Sequence, residues 1–558
     1  MDCKGVPSSE DYFEFIVEYS TIIEDVKKRF ATDCVIPISN RFSVAYVPKK
    51  GQTVFRSSDY EYNSIPRCFG LMDTAVMEEI GVAQVKRAGL DLSGSGVLVG
   101  MIDTGIDYQN RVFQYEDQSS KIYSIWDQTI ENEEGKAIFD YGTEYTKEEI
   151  EQAIQSKEPF KVVPSTDTSG HGTFLASLIG GNLSEENGFT GVAPDVQLII
   201  VKLRQAKDYL KEFYCLDPSY EAYAETDMML AIRYITLVAQ KLKKPIVLFI
   251  GMGTSLASHL GTGPLDQYLS TLAPLKGTAI VVSGGNEGQS RHHYSGIVTE
   301  NASRVELKVG PSEYGFTVEL WGMPPNAFYV DIESPSGQRT GRIAGGLRGQ
   351  REVSFLLEKT RLIVDYFTVD AVAGAPGIVM RFQHPAQGIW NIYVTDDHMG
   401  SREFDLWLPI SNFLSEDTFF LESNPFNNLV APGNASALIC VSNYNSNNGS
   451  IYIDSSRGFP RNAIHPDFAA PGVEILGALP RNRFGRKTGT SVSGAIVAGM
   501  AALMLEWGYV KGNDIEINTT RIKNYLIRGA KRDATKTYPN QEWGFGAVDL
   551  YETFLKIR

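Results

Sequence analysis

Four short segments hold residue types that could carry out acyl transfer. Met101-Ile102-Asp103-Thr104-Gly105 sets a carboxylate at the end of an apolar run. Ser169-Gly170-His171-Gly172-Thr173 sets an imidazole between glycines, ahead of an Ala- and Leu-rich helical stretch, where missing side chains would let a substrate backbone come close. Ser283-Gly284-Gly285-Asn286-Glu287-Gly288 offers a side-chain amide in a glycine-rich bend, suited to donate to a tetrahedral oxyanion. Gly489-Thr490-Ser491-Val492-Ser493-Gly494 opens an apolar segment running to Met504. Ser491 would then sit at the N-terminus of a buried helix, whose backbone N–H and dipole favour a developing negative charge. Taken singly, each segment has an ordinary structural use, because Asp and Gly form turns and Ser caps helices. Taken together they describe attack by Ser491, with His171 as general base, Asp103 orienting the imidazole, and the Ser491 N–H with Asn286 holding the oxyanion. Ser493 is the alternative nucleophile by position and ranks well below Ser491.

Other chemistries find less support. His259, His292, His293, His384, His398 and His465 lack a comparable setting and read as surface or structural residues. No His-Glu-x-x-His segment is present, which argues against a zinc peptidase, and without an Asp-x-Asp-x-Asp-Gly loop metal is left unassigned and no cofactor is expected. Cys3, Cys34, Cys68, Cys215 and Cys440 are odd in number and scattered, so they read as ordinary thiols with no disulfide framework.

The elements that must position these residues follow from apolar periodicity. Gly96 to Asp103 is a short buried strand, and similar runs recur at Val196 to Val201, Pro245 to Ile250 and Thr278 to Val282. Helical stretches such as Thr226 to Lys241 lie between them, which predicts an α/β fold with a parallel sheet flanked by helices. Ahead of it, Tyr12 to Val17, Ile22 to Phe30 and Phe42 to Val47 read as strand, helix and strand of a small α/β unit. From about Ser295 to Asn412 short alternating runs separated by Gly, Pro and Asn predict an all-β insert, a sandwich or a jelly roll, expected to clamp the sheet domain without lining the active site.

The 558 residues, 43% hydrophobic, exceed one ordinary core and suggest two or three units. With 52 Lys plus Arg against 67 Asp plus Glu, the net charge of -15 disfavours nucleic acid and anionic lipid as partners. No run suggests a membrane span, and Met1 to Pro7 lacks the features of a secretory signal, so the chain is expected either to stay inside its cell or to have been cloned without its leader.

The order Asp103, His171, Asn286, Ser491 and the local contexts resemble the subtilase family of serine proteases. Gly191-Val192-Ala193-Pro194, Phe468-Ala469-Ala470-Pro471-Gly472 and Trp543-Gly544-Phe545-Gly546-Ala547-Val548 match the family in the same order. The insert, the acidic excursion from Asp107 to Pro164 and the absence of a leader make the chain look like the Csp germination proteases of clostridia. That resemblance implies residues 1–65 as an N-terminal pro-segment, 66–295 and 416–558 as a subtilisin-like catalytic domain, and 296–415 as a jelly-roll-like insert. It implies an endopeptidase acting on protein or peptide, activating a spore cortex-lytic zymogen. Gly251, Met252 and Gly253 resemble the strand on which subtilases pair an extended peptide. Self-cleavage is expected within about residues 53–66, the released pro-segment remaining in the cleft. The alternatives are an intracellular subtilase with another protein substrate and a pseudoprotease that binds or senses without turnover.

Overall fold

The computed structural model describes residues 3–20, 22–52, 55, 59–72, 91–115, 117–131, 139–300, 302–343, 348–370, 373–461 and 463–557. The N-terminal unit is an antiparallel sheet of Tyr12–Glu18 (β1), Val35–Pro37 (β2) and Phe42–Pro48 (β3) in the order β1-β3-β2, with Ile23–Phe30 (α1) against it. Five consecutive residues of β1, Phe13 to Val17, are buried, because one face meets α1 and the other meets the main domain. Cys3 and Cys34 form a disulfide with their Cα atoms 5.2 Å apart, which corrects the expectation of five thiols. A separation of 31 residues carries no spacing signal, and only the folded chain brings the pair together. Cys68, Cys215 and Cys440 are buried free thiols.

Cys68–Leu71 (β4) leads out of this unit. The main domain is built on Leu98–Asp103 (β5), Ile122–Asp127 (β6), Thr143–Thr146 (β7), Gln197–Lys202 (β8), Ile246–Ile250 (β10) and Thr278–Ser283 (β12). The short strands Tyr223–Ala224 (β9) and Met252–Gly253 (β11) lie outside that sheet. Late in the chain Ile439–Asn445 (β23), Ser450–Ile451 (β24) and Phe468–Pro471 (β25) complete a nine-stranded sheet in the order β24-β23-β12-β10-β5-β8-β6-β7, with β25 on β23. Pairing is parallel except at β6–β7 and β23–β24. Every residue of β5, β10 and β12 is buried, as a parallel sheet covered on both faces requires.

Alternation along β5 sorts its side chains between two cores. Val99 and Met101 join the cluster built by His171–Gly180 (α2) and Thr490–Leu505 (α4), while Leu98 and Ile102 join the cluster built by Glu225–Leu242 (α3). All sixteen residues of α4 are buried. With its continuation to Val510 this helix is long and apolar enough to cross a membrane by length and composition alone, but 94% of its 18-residue apolar stretch is buried inside the protein. It is apolar all round because core surrounds it.

Between β12 and β23, ten strands from His293–Ile297 (β13) to Phe419–Phe420 (β22) form a six-stranded and a four-stranded antiparallel sheet. Residues of both share one apolar core, including Val318, Leu362 and Met380 from one and Leu307, Trp390 and Ile392 from the other. This is a β sandwich, and the turn-forming residues read from the sequence separate its strands. The chain as a whole is an α/β parallel-sheet domain with a small N-terminal unit and an all-β insert.

Candidate active site

Asp103 is the last residue of β5, His171 the first of α2 and Ser491 the second of α4, so two helix N-termini and one strand end converge. His171 Nδ1 lies 2.7 Å from Asp103 Oδ1, both wholly buried. An ionised carboxylate can only accept, so Nδ1–H donates and Nε2 is left as the basic nitrogen. Ser491 Oγ donates to the main-chain carbonyl of Met72. Ser493 Oγ instead donates to Ala470 O at 3.0 Å, on the far side of the turn, and is spent there. Burial pushes the Cys68 and Cys215 thiols up to about 12, so neither offers a thiolate near neutral pH.

Asn286 Oδ1 accepts from Thr490 N–H at 3.0 Å, which turns its Nδ2 toward Ser491. A Cβ placed on Gly489 would lie 2.9 Å from Met72 O, 3.2 Å from Asn286 Nδ2 and 3.4 Å from Ser491 Oγ. Those three atoms therefore surround one point, and only glycine leaves it open. Thr490 Oγ1 accepts from Gly285 N–H at 3.0 Å and ties the Asn286 bend to the start of α4.

The glycines flanking His171 serve packing, and not the substrate approach read from the sequence. A side chain on Gly172 would run into the Gly105 carbonyl, and one on Gly170 would meet Pro480 Cδ at 3.0 Å. Their absence lets α2 sit directly on the end of β5. Sequence reasoning also missed Asp167. Its Oδ1 accepts from Gly170 N–H and Thr104 Oγ1, both at 2.8 Å, and its Oδ2 from Thr173 N–H at 2.8 Å and Thr173 Oγ1 at 2.6 Å. It thus caps α2 from outside and fastens Thr104, whose N–H donates to Asp103 Oδ1 at 2.8 Å. An Asp four residues ahead of a helix-initiating His was the available signal.

Gly251, Met252 and Gly253 run beside a peptide strand, and that strand belongs to this chain. β4 is the middle of a three-stranded sheet β11-β4-β9, with Leu71 opposite Met252, Gly70 opposite Gly253, Phe69 opposite Tyr223 and Cys68 opposite Ala224. Phe69 is fully buried in the apolar cluster that includes Tyr223, Met228 and Met252. Met72 is buried in the cluster that includes Leu256 and Val430.

This placement corrects the segment expected in the cleft. Of residues 53–66, those at 53, 54 and 56–58 lie outside the described residues, while Phe55, Tyr62 and Asn63 find their partners elsewhere. Phe55 stacks on Phe213 at 5.1 Å, Tyr62 donates to Glu319 of the sandwich, and Asn63 donates to Asp370. The insert also does more than clamp. Asn412 Nδ2, in the turn that precedes β22, donates to Leu71 O at 3.1 Å, so that turn lines the cleft.

Among the described residues no group of three or more His, Cys, Asp or Glu side chains is placed to hold a metal ion. The subtilase family model matches residues 94–305 and 417–546, skipping most of the sandwich. C5a peptidase of Streptococcus pyogenes serotype M18 (strain MGAS8232) is 22% identical over 494 residues, 82% of this chain. The chain spans about 40% of the length of that relative. Subtilisin-like protease 3 of Plasmodium falciparum (isolate 3D7) is 29% identical over 119 residues, 21% of this chain and 14% of that one. The solved structure of the Clostridium perfringens CspB protease is similar with a TM-score of 0.76 and 30% identity, covering 85% of this chain and 95% of that one. With a family model over both halves of the sheet domain and a solved relative matched along nearly its whole length, this chain belongs to the subtilase family.

Proposed function

We propose that the protein is a serine endopeptidase that first cuts itself between Met72 and Asp73. The observation that carries this reading is the Met72 carbonyl held at Ser491 Oγ by a peptide strand paired on both edges. In the reaction His171 Nε2 takes the Ser491 proton as Oγ attacks the Met72 carbonyl carbon. Asp103 keeps Nδ1–H in place and stabilises the imidazolium, while Ser491 N–H and Asn286 Nδ2 receive the oxyanion. Collapse breaks the Met72–Asp73 bond, with the His171 proton passing to the leaving amine. Water then frees Met72 as a carboxylate by the reverse use of the same groups. Holding the scissile bond beside its own nucleophile makes the step intramolecular and independent of protein concentration.

The freed N-terminal unit stays in place on this reading. Glu14, buried in β1, meets Arg204 and Lys207 at 2.8 and 2.7 Å and accepts from Thr226, and Tyr62 and Asn63 hold the sandwich. Met72 would then block the cleft as a bound product. We propose further, on the motif resemblance to the Csp germination proteases, a spore-associated enzyme whose substrate in trans is a cortex-lytic zymogen. Intact mass of the wild type and Ser491→Ala, expressed in parallel, tests the chemistry. Two fragments divided after Met72 are expected from the wild type and one intact chain from the variant, a loss of turnover on the order of a millionfold. Identical fragments in both would refute self-cleavage, and an intact wild type would favour the pseudoprotease.

A further inference from the structure

The peptide strand in the cleft is covered on its outer side by the turn that precedes β22, the last strand of the β sandwich. Ser411–Phe413 forms a single 3-10 turn, flanked by Ile410. Its place is fixed from beneath by Glu287, the neighbour of Asn286. Glu287 Oε1 accepts from Ser411 N–H at 3.0 Å, and Oε2 accepts from Ser411 Oγ at 2.9 Å and from His292 Nδ1 at 3.0 Å. The carboxylate is 5% exposed, so the turn is bolted to the oxyanion bend by a buried node. Burial raises the Glu287 carboxyl, but the His292 and Ser411 contacts outweigh it and hold it below its usual range.

From this fixed turn three side chains reach β4. Asn412 Nδ2 donates to the Leu71 carbonyl. Ile410 and Phe413 close over Gly70, so that a Cβ there would lie 2.6 Å from Ile410 Cδ1, 3.2 Å from Phe413 Cζ and 3.4 Å from Phe413 Cε1. The nearest of these distances is shorter than any ordinary carbon contact, and the others are tight. Gly70 also pairs with Gly253 across the strand, so the backbone cannot slide outward without breaking that pairing. Ile410 and Phe413 share one apolar cluster with Trp407, Val430 and Met72, which limits how far either ring or branch can retreat.

We infer that Ile410 and Phe413 form a glycine-selective subsite, so that the cleft takes peptides with glycine two residues before the scissile carbonyl. The inference rests on the proposed cleavage after Met72, which sets the register. The favoured sequence class is an aromatic residue, then glycine, then two apolar residues, as in Phe69-Gly70-Leu71-Met72. Phe69 supplies the buried aromatic anchor, Gly70 passes under the Ile410–Phe413 wall, and Asn412 fixes the carbonyl that follows. Because the wall belongs to the turn before the last sandwich strand, the insert sets substrate choice as well as packing. Ile410 and Phe413 are specificity-determining residues and take no part in the chemistry.

The test uses the full chain, pulse-labelled in cell-free translation, with the cut fraction followed over time. Gly70→Ala is expected to slow cleavage after Met72 about tenfold, and Gly70→Val about a hundredfold or more, as overpacked sites resist added methyl groups. Ile410→Val removes the Cδ1 atom that a Cβ at residue 70 would strike. Combined with Gly70→Ala it should restore most of what that substitution lost, the double variant being compared with Ile410→Val alone. Such rescue could not follow from misfolding of Gly70→Ala. Cleavage of Gly70→Val at the wild-type rate would overturn the subsite while leaving self-cleavage standing. So would a Gly70→Ala defect that Ile410→Val does not relieve. A wild type that is never cut would overturn the cleavage reading itself, and the subsite with it.

Discussion

Around His171 the Asp103 carboxylate faces the ring, and the buried Asp167 carboxylate beside it is spent on main-chain N–H groups and hydroxyls. At the seat of the N-terminal unit Glu14, Arg204, Lys207 and Asp227 lie together, each almost wholly buried. Arg204 bridges Glu14 and Asp227 at 2.8 Å to each, its guanidinium also donates to Pro7 O, and Tyr141 donates to Asp227 at 2.7 Å. Burial pushes the Glu14 carboxyl up, but Lys207 and Arg204 outweigh it and hold it below its usual range. In the first region charge must appear only during the reaction, so permanent charge is sparse and donors are pre-aimed. In the second, permanent charges are paired in a low-dielectric seam where few other arrangements satisfy them. The contrast teaches that the seam fixes where β1 sits, and hence which residue β4 delivers to Ser491.

The sharpest way to break this contrast is Glu14→Ala. It strands buried Lys207 and leaves Arg204 paired with Asp227 alone, and a loss of about 3 to 5 kcal/mol of unfolding free energy is expected, read by denaturant titration of the Ser491→Ala background. A loss below about 1 kcal/mol would show that the seam is solvated and does not seat the unit. Next is Asn286→Ala, which should slow cleavage after Met72 by about 100 to 1000-fold while moving the unfolding midpoint little. A comparable drop in stability with unchanged rate would place Asn286 among the structural groups.

The smallest effect concerns the seam between sheet domain and sandwich, where His259 stacks on Trp407 with ring centroids 3.9 Å apart. Burial lowers His259 to about 3, His293 and Arg67 push the same way, and the Ser255 carbonyl and Asp405 oppose them. Its folded value lies below the ordinary 6.5, so between those values the unfolded chain binds the proton and stability falls as pH falls. The contribution is fully present above about pH 6.5 and should shrink by about 2 kcal/mol between pH 7 and 5. His259→Phe, which keeps a ring on Trp407, should flatten that part of the pH–stability curve. An unchanged slope would show that the ring is charged in the fold or reached by water.

Much of the central sheet was legible because each strand carries a local apolar run ending at a marked residue, as Val97 to Asp103 does. β2 was missed, because Val35–Pro37 is only three residues long and ends in proline, too short for a periodic pattern. Asp103, His171, Asn286 and Ser491 were readable as candidates because acyl transfer needs each residue type in a narrow backbone setting, and glycines announce such settings. Asp167 carries no such mark, since its work is to satisfy N–H groups that become orphans only once α2 exists.

What the sequence determined by itself was therefore local: the strands and helices with strong patterns, the candidate chemical groups at their ends, and the division into mixed and all-β textures. What only the tertiary structure decided were meetings between distant segments. Met72 reaches Ser491 across 419 residues, Tyr62 reaches Glu319 across 257, and Asn412 reaches Leu71 across 341. No periodicity records such encounters, because each partner looks like an ordinary loop residue in its own neighbourhood. They are fixed by the summed burial of four cores and by the few ways in which buried polar groups can all find partners.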